Sequence, residues 1–464
     1  LCAVPHGSGN TQIISDLCVS LAKELGLKCR QEECGNVVIW KPASPGCESA
    51  APIILQGHMD MVCAKTDDCT KDMAREGLDL MTDGEWVWAD KTSLGGDNCI
   101  AVAMILAILS DDTLVHPPIE AVFTVDEEVG MDGAFALDCS DLKGRRLLNL
   151  DSEMEGVFTV SCAGGMRSDC FFPAALTPAE GMDVCKLTIS GLQGGHSGAD
   201  IHLGRGSANR LMGRVLCAAL EKFPGLRLAA TDGGEFDNVI CSRCEAAAAL
   251  PAGNGQAFAA FARELDAALK NEYAVTDPGV ALECVPSSAD RAVSPERTAV
   301  LLRALAVLPH GVEAMDTDFP GLVQTSLNMG VVRLDDAGLH VTFSIRSSIA
   351  SRKEMLAQRV RAAAELAGGT VTERGVYPGW QYRRDSQFRE TLLAAYKDLT
   401  GKDGVVEATH GGLECGLFME KLPGLDAVSL GPDIPDIHSV RERLGVSSVA
   451  RTYALVCEVL RRSV

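Results

Sequence analysis

The chain of 464 residues carries 42 Lys and Arg against 63 Asp and Glu, a net charge of −21. That excess of acid works against nucleic acid or an anionic membrane surface as a partner and suits a soluble cytoplasmic enzyme. The longest apolar run, Cys99 to Leu109, falls well short of the ~20 residues that span a bilayer, while the length exceeds the ~250–300 at which one core usually divides, so two domains are expected.

The 18 cysteines sit singly in apolar segments such as Leu17-Cys18-Val19 and read as buried free thiols, not as a disulfide framework. Cys241 and Cys244 have the spacing of a zinc pair, but no second pair follows nearby. The chain opens LCAVPHGSGN rather than on Met, so a few upstream residues are expected.

Asn10 to Leu25 has helical periodicity, and Val37 to Trp40 and Ile53 to Leu55 read as short strands. The second strand runs into Gln56-Gly57-His58-Met59-Asp60-Met61-Val62. His58 and Asp60, two apart on an extended chain, project to one side, which suits a ligand oriented by a carboxylate. Asp97 follows two glycines and precedes the apolar helix from Cys99. It is either an N-cap, worth ~1 kcal/mol, or a ligand that the glycines let the backbone crowd against. The segment Ile119 to Gly130, IEAVFTVDEEVG, is a strand ending in three acids, Asp126, Glu127 and Glu128. Adjacent residues on an extended chain face opposite ways, so Glu127 and Glu128 can hardly share one job, which suggests one metal ligand and one general base; the alternative is a solvated acidic turn.

A further buried strand, Arg146 to Leu150, ends in Asp151-Ser152-Glu153. Another, Asp426 to Leu430, is followed by a Pro-stiffened loop reaching His438 and the last helix, Val446 to Arg461. Open α/β sheets bind where their strands finish. The set His58, Asp97, Glu128, Asp151 and His438 mixes imidazole with carboxylate and has no thiolate, which suits zinc, manganese or cobalt in an open catalytic site.

Between Asp183 and about Tyr377 the rhythm changes. Strand Val184–Ser190, helix Ala208–Leu220, strands Leu226–Ala230 and Glu245–Leu250 and helix Gln256–Lys270 form one series. Helix Ser294–Val307, strands Val323–Val332 and Leu339–Arg346, helix Ser351–Leu366 and strand Thr370–Tyr377 form a second. Two such α+β units in tandem suggest a doubled lid inserted into a catalytic domain that resumes with the helix Ser386–Leu399. The expected division is 1–182 and 378–464 for the catalytic domain and 183–377 for the lid.

The segments QGHMDMV, SLGGDN, TVDEEVG, NLDSE and DIHSVRERL, in this order, resemble the dinuclear-metal peptidases of the M20 clan. VPHGSGN, GLQGGHSGADI, TSLNMGV and HGGLECGLF resemble, more narrowly, its dipeptidase branch, so the likeness covers nearly the whole chain. The resemblance implies an α/β fold of zinc-exopeptidase type: a split catalytic domain with a mixed sheet flanked by helices, and the inserted, doubled α+β lid. It implies two divalent metal ions, zinc first with manganese or cobalt as alternatives. Asp97 would bridge them, His58 and Asp151 would hold one, and Glu128 and His438 the other. Glu127 would be the general base and Asp60 would orient His58. In the lid, His196 would reach the substrate carbonyl as an oxyanion donor, and Asn238 the substrate backbone. Arg346 alternates with apolar residues on its strand. Its charge needs a partner, either a structural acid or the carboxylate of a dipeptide held by two bonds. Glu414 would receive the substrate's amino terminus.

The implied reaction is hydrolysis of unblocked dipeptides, Xaa-His among them, with a small peptide as the partner and neither nucleic acid nor membrane. A tripeptidase or deacylase of the same clan and a catalytically silent peptide-binding paralogue are the alternatives. Association through the lid into a homodimer is expected from the family, although a doubled lid could mimic a dimer within one chain. Three residues depart from the family pattern: Lys91 for Gly, Gly96 for Ala, and Cys99 for Gly. Cys99 is either an oxidation liability beside the site or a buried helix-start residue.

Overall fold

A computed structural model describes all 464 residues. The principal strands are β1 (Lys28–Gln31), β2 (Val37–Lys41), β3 (Ile53–His58), β4 (Ile119–Thr124), β5 (Arg146–Asn149), β6 (Val157–Cys162), β7 (Gly164–Pro173), β8 (Asp183–Ser190), β9 (Arg227–Gly233), β10 (Cys244–Leu250), β11 (Ala281–Ser287), β12 (Val323–Leu334), β13 (Gly338–Ser347), β14 (Thr370–Tyr377), β15 (Val405–Thr409) and β16 (Asp426–Ser429). The longer helices are α1 (Gln12–Glu24), α2 (Gly96–Ser110), α3 (Ala208–Lys222), α4 (Gly255–Glu272), α5 (Pro295–Val307), α6 (Ala350–Leu366), α7 (Gln387–Thr400) and α8 (Val446–Arg462). No helix is long and apolar enough to cross a membrane.

The chain divides into two compact units. One is Leu1–Cys162 with Trp380–Thr409 and Leu413–Val464; the other is Ala163–Gly379 with His410–Gly412. The inserted unit therefore begins at Ala163, not at Asp183 as the sequence suggested. The reason is β7, which pairs along its whole length with β13 and also with β14.

In the first unit an eight-stranded mixed sheet runs β1-β2-β4-β3-β5-β16-β6-β15. Its middle strands β4, β3, β5 and β16 are mutually parallel. All six residues of β3 and of β4 are buried, as continuous apolar runs in a sheet covered on both faces require. Helix α2 is apolar on nearly every side and is correspondingly interior, with Ala101, Val102, Ile105 and Ile108 without exposure. Gly57 sets how closely it approaches: a Cβ there would lie 2.6 Å from Ala101 Cβ and from Asn98 Oδ1.

The second unit is built on the sheet β11-β8-β10-β9-β12-β13-β7-β14, to which Gly311–Met315 adds a ninth strand beside β12. It resolves into two copies of one motif, strand-helix-strand-strand-helix-strand. The first is β8-α3-β9-β10-α4-β11 and is contiguous in sequence. The second, β7-α5-β12-β13-α6-β14, has the first inserted after its opening strand. Both copies have the same antiparallel order, and they meet edge to edge through β9 and β12 over just two pairs, Asp232 with Arg333 and Gly233 with Val332. Side chains from all four helices, such as Leu211, Phe258, Leu301 and Leu356, join one continuous apolar cluster with Leu187, Phe172 and Phe343 from the strands. The doubled lid read from the sequence is thus present, with β7 and β11 as strands that reading did not find.

The 18 cysteines are free, and Cys34 and Cys63 are exposed rather than buried.

Candidate metal centre

Because β4, β3, β5 and β16 are parallel neighbours, their carboxyl ends open on one edge of the sheet. His58 is the last residue of β3, Glu127 and Glu128 follow β4, Asp151 follows β5, and His438 lies on the loop after β16. Asp97 comes from the start of α2, where the Asp97–Asn98 peptide is cis and the regular helix has not yet begun. Two of the site loops hold non-glycine residues at positive φ, Asp126 at 55° and His438 at 60°, a conformation that concentrates where a site dictates side-chain direction.

The five expected ligands converge. Asp97 Oδ1 lies 3.2 Å from His58 Nε2, and its other oxygen, Oδ2, lies 3.1 Å from His438 Nε2. Asp151 Oδ1 is 3.4 Å from His58 Nε2, and Glu128 Oε1 is 3.0 Å from His438 Nε2. Two donors at ~2.0–2.1 Å from a shared tetrahedral ion lie about 3.3 Å apart, so these separations leave room for a shared ion as well as for the hydrogen bonds they make without one. Ligand atoms of His58, Asp97 and Glu128 all lie within 4.8 Å of one another. The residues therefore fit divalent cations.

The electrostatics carry the same message. Burial alone would lower the His58 pKa, but Asp151, Asp60 and Asp97 around it raise it well above the ordinary imidazole value. Hydrogen bonds to Asp97 and Glu128 hold His438 up to about 10. Burial pushes Asp151 up to about 6 against the pull of His58. Burial likewise raises Glu127 well above the carboxylate range, with Asp151, Glu414 and Glu128 adding to it. Carboxylates crowded in a dry cleft bind protons when no stronger positive charge is present, and a metal ion supplies that charge.

Surrounding groups fix these side chains. Asp60 is fully buried. Its carboxylate accepts from Ser8 Oγ (2.8 Å) and from the backbone N–H of Glu127 (3.0 Å) and Glu128 (3.3 Å), besides lying 3.4 Å from His58 Nδ1. The carboxylate thus holds the paired acids, while the closer contact of His58 Nδ1 is the backbone carbonyl of Asp60, at 3.0 Å. The opening segment closes the same corner, where Gly9 N donates to Asp126 Oδ1 at 2.6 Å. Asn98 ties two strand ends together: its Oδ1 accepts from His58 N, and its Nδ2 donates to Leu150 O at 2.7 Å. Ser8, Gly9 and Asn98, which lie in VPHGSGN and SLGGDN, are supporting residues that the sequence reading does not name.

Glu414 does not stand open to a substrate amine. It is fully buried, and its Oε2 accepts from Gln56 Nε2 (2.5 Å) and Thr124 Oγ1 (2.7 Å) beneath the ends of β3 and β4. Burial, with Asp151 and Asp60 near, pushes its carboxyl up to about 8. Among the family departures, Lys91 occupies a left-handed position (φ 61°), which explains a glycine there, and pairs with Asp68 on the surface. Cys99 is buried, its Sγ 3.7 Å from Met59 O, and burial holds its thiol protonated.

Within the inserted unit, the lid residues form their own cluster. Arg346 on β13 faces Ser326 on β12 in register. It is 7% exposed, its Nε has no hydrogen bond, and its nearest polar contact is Tyr377 OH at 3.5 Å from Nη1. Ser326 Oγ is 2.8 Å from Nε2 of His410, whose Nδ1 is buried without a partner. Burial and the neighbouring Arg346 and His196 drive His410 down to about 3, so it is neutral. His196 is exposed. Its loop is tied to the Asn238 segment by Ser197 N donating to Asn238 O at 2.8 Å, and Asn328 holds that segment through Asp237 O and Val239 O. His410, a lone histidine before two glycines, was not foreseen.

A family model described as "Peptidase family M20/M25/M40" matches residues 54–462. The cytosol non-specific dipeptidase of Escherichia coli (strain K12) is 37% identical across 99% of this chain and 95% of that protein. The crystal structure of aminoacylhistidine dipeptidase from Vibrio alginolyticus superposes with a TM-score of 0.92 at 36% identity, covering 99% of this chain and 94% of that one. A structure of aminopeptidase PepT from Bacillus cereus, at 15% identity and a TM-score of 0.57 over 100% of this chain and 95% of that one, shares the fold. Matched over most of its length by the family model and by a relative 37% identical to it, the chain belongs to peptidase family M20/M25/M40.

Proposed function

We propose that the protein is a cytoplasmic dipeptidase that hydrolyses unblocked dipeptides, Xaa-His among them, with two divalent ions held by Asp97 jointly, by His58 with Asp151, and by Glu128 with His438. The observation that carries the two-ion reading is the bridging carboxylate, whose two oxygens each face a different imidazole at 3.2 and 3.1 Å. Zinc is the first choice for the donor set, with manganese and cobalt behind it. When bound, the ions would lower the pKa of a shared water and polarise the scissile carbonyl.

The remaining work falls to the chain. Glu127, whose backbone is pinned by Asp60, takes the water's proton and returns it to the leaving amine. The buried, carboxylate-free Arg346 recognises the substrate's free carboxylate, with His410 offering a neutral ring beside it. His196 serves the carbonyl oxygen and Asn238 the substrate backbone. A homodimer is part of the same reading. The names of the Escherichia coli and Vibrio relatives, both dipeptidases, support the substrate class.

The test is hydrolysis of a panel of Xaa-His and other dipeptides by metal-reconstituted protein, with Glu127→Gln and a chelator-treated sample alongside. Turnover should vanish on chelation, and Glu127→Gln should lower kcat about 10²–10⁴-fold while keeping its metal. A metal-loaded wild type that cleaves no dipeptide would overturn the reading and direct the search to tripeptides and acylated amino acids.

A further inference from the structure

The loop that delivers His438 continues through Ser439, Val440 and Arg441 to Glu442, which no step of the chemistry uses. Glu442 is buried, 2% exposed. Its carboxylate accepts four successive backbone N–H groups: Oε2 from Leu94 (2.9 Å) and Gly95 (3.1 Å), Oε1 from Gly96 (2.8 Å) and Asp97 (3.3 Å). Successive N–H groups converge on one anion where the backbone passes through a left-handed residue, and Gly95 (φ 65°, ψ 28°) is that residue. Concavities of this kind ahead of a helix commonly hold phosphate. Here the chain fills its own with a carboxylate from a segment 345 residues further on. Gly96 belongs to the same fit, since a Cβ there would lie 3.3 Å from Glu442 Oε1 and from Leu94, and 3.4 Å from Ile434.

We propose that Glu442 is a positioning residue of the metal centre: it fastens the turn that ends in Asp97 to the loop that carries His438, and so fixes the spacing between the bridging carboxylate and that imidazole. The inference rests on the metal-centre reading above. His438 is half-exposed and held at φ 60°. Its ring is thus placed by the loop's attachment more than by packing, and Glu442 is the buried end of that attachment. The acceptor count matters. Gln at this position has the same shape but turns an NH₂ group against two of the four N–H donors. Asp keeps both oxygens on a shorter stem.

The experiment titrates Zn²⁺ into chelator-stripped wild type, E442Q, E442D and E442A by calorimetry, with thermal unfolding of each metal-free protein and steady-state kinetics at rising Zn²⁺. Wild type should take up two ions. E442Q should bind the weaker of them about 10–100-fold less tightly, E442D should fall between, and saturating Zn²⁺ should restore the E442Q kcat at unchanged KM. Wild-type affinity for both ions in E442Q would overturn the proposal. So would an E442D no better than E442Q, or a loss that excess Zn²⁺ fails to restore and that follows a lowered unfolding temperature of the metal-free variant. If wild type itself takes up no Zn²⁺, the metal-centre reading falls and this inference with it.

Discussion

Arg346 offers the sharpest quantitative test of substrate recognition. A guanidinium at 7% exposure with no carboxylate in reach is an uncompensated buried charge, which a folded protein tolerates where a ligand supplies the missing anion. Replacing it by Met keeps the aliphatic stem and removes the fork. Hydrogen bonds to a charged group contribute about 1.5–3 kcal/mol each. Two of them at the low end give about 3 kcal/mol, or roughly 10²-fold in kcat/KM at 1.4 kcal/mol per decade. The assay is a cycle: wild type and Arg346→Met, each on a dipeptide and on the same dipeptide with its carboxylate amidated. Wild type should lose about 10²-fold on the amide. The variant should lose about as much on the free acid, and little more when both changes are combined, so that the coupling is near 3 kcal/mol. Equal losses by the variant on acid and amide would place Arg346 in the lid's architecture and refute the reasoning.

Glu414 predicts a pH signature. Its folded pKa, about 8, stands above the ordinary carboxylate value of 4.5, so its protonated form is favoured in the fold. That contribution is complete below about pH 4.5 and is lost as pH rises through 8. Glu414→Gln should therefore match wild type in urea unfolding of the metal-free protein at pH 5 and exceed it at pH 8; a constant difference across that range would contradict the burial argument. At the seam of the lid halves, Gly234 lies at φ 80° and a Cβ there would meet Gly330 O at 1.9 Å. Gly234→Ala should cost about 2 kcal/mol or more in chemical unfolding, and a change within about 0.5 kcal/mol would show that the seam yields freely.

The ligand strands were legible because each couples a continuous apolar run to an abrupt polar end, and parallel packing then brings those ends together. Two lid strands escaped for different reasons. In β7 the inward positions are Met166, Ser168, Cys170 and Phe172, and the serine and two leading glycines dilute the alternation. Strand β11 is an edge, mostly exposed and carrying Pro286, which is where a sheet admits proline and where hydrophobic patterning fades. Side-chain direction was the harder problem. Glu414 follows two glycines and a leucine, so nothing nearby says whether it faces solvent or core, and it turned inward. Glu442 stands in a charged run, Arg441-Glu442-Arg443, that reads as a solvated surface. Its burial depends on a glycine turn hundreds of residues earlier, a pairing that no local pattern encodes.

The insertion of one lid half inside the other has a consequence for synthesis. The inner half, β8 to β11, is contiguous and has all of its strands once residue 287 has been made. Strand β7 was made earlier, yet its partners β13 and β14 lie at 338–347 and 370–377. Until those residues emerge, a strand bearing Met166, Cys170 and Phe172 on one face has both edges unpaired, and the β9 edge of the inner half is open as well. Unpaired edges of that kind recruit other strands. The edges of β7 therefore close one after the other, the first against 338–347 and the second only against 370–377, so the half of the lid that begins first is the half that is completed last.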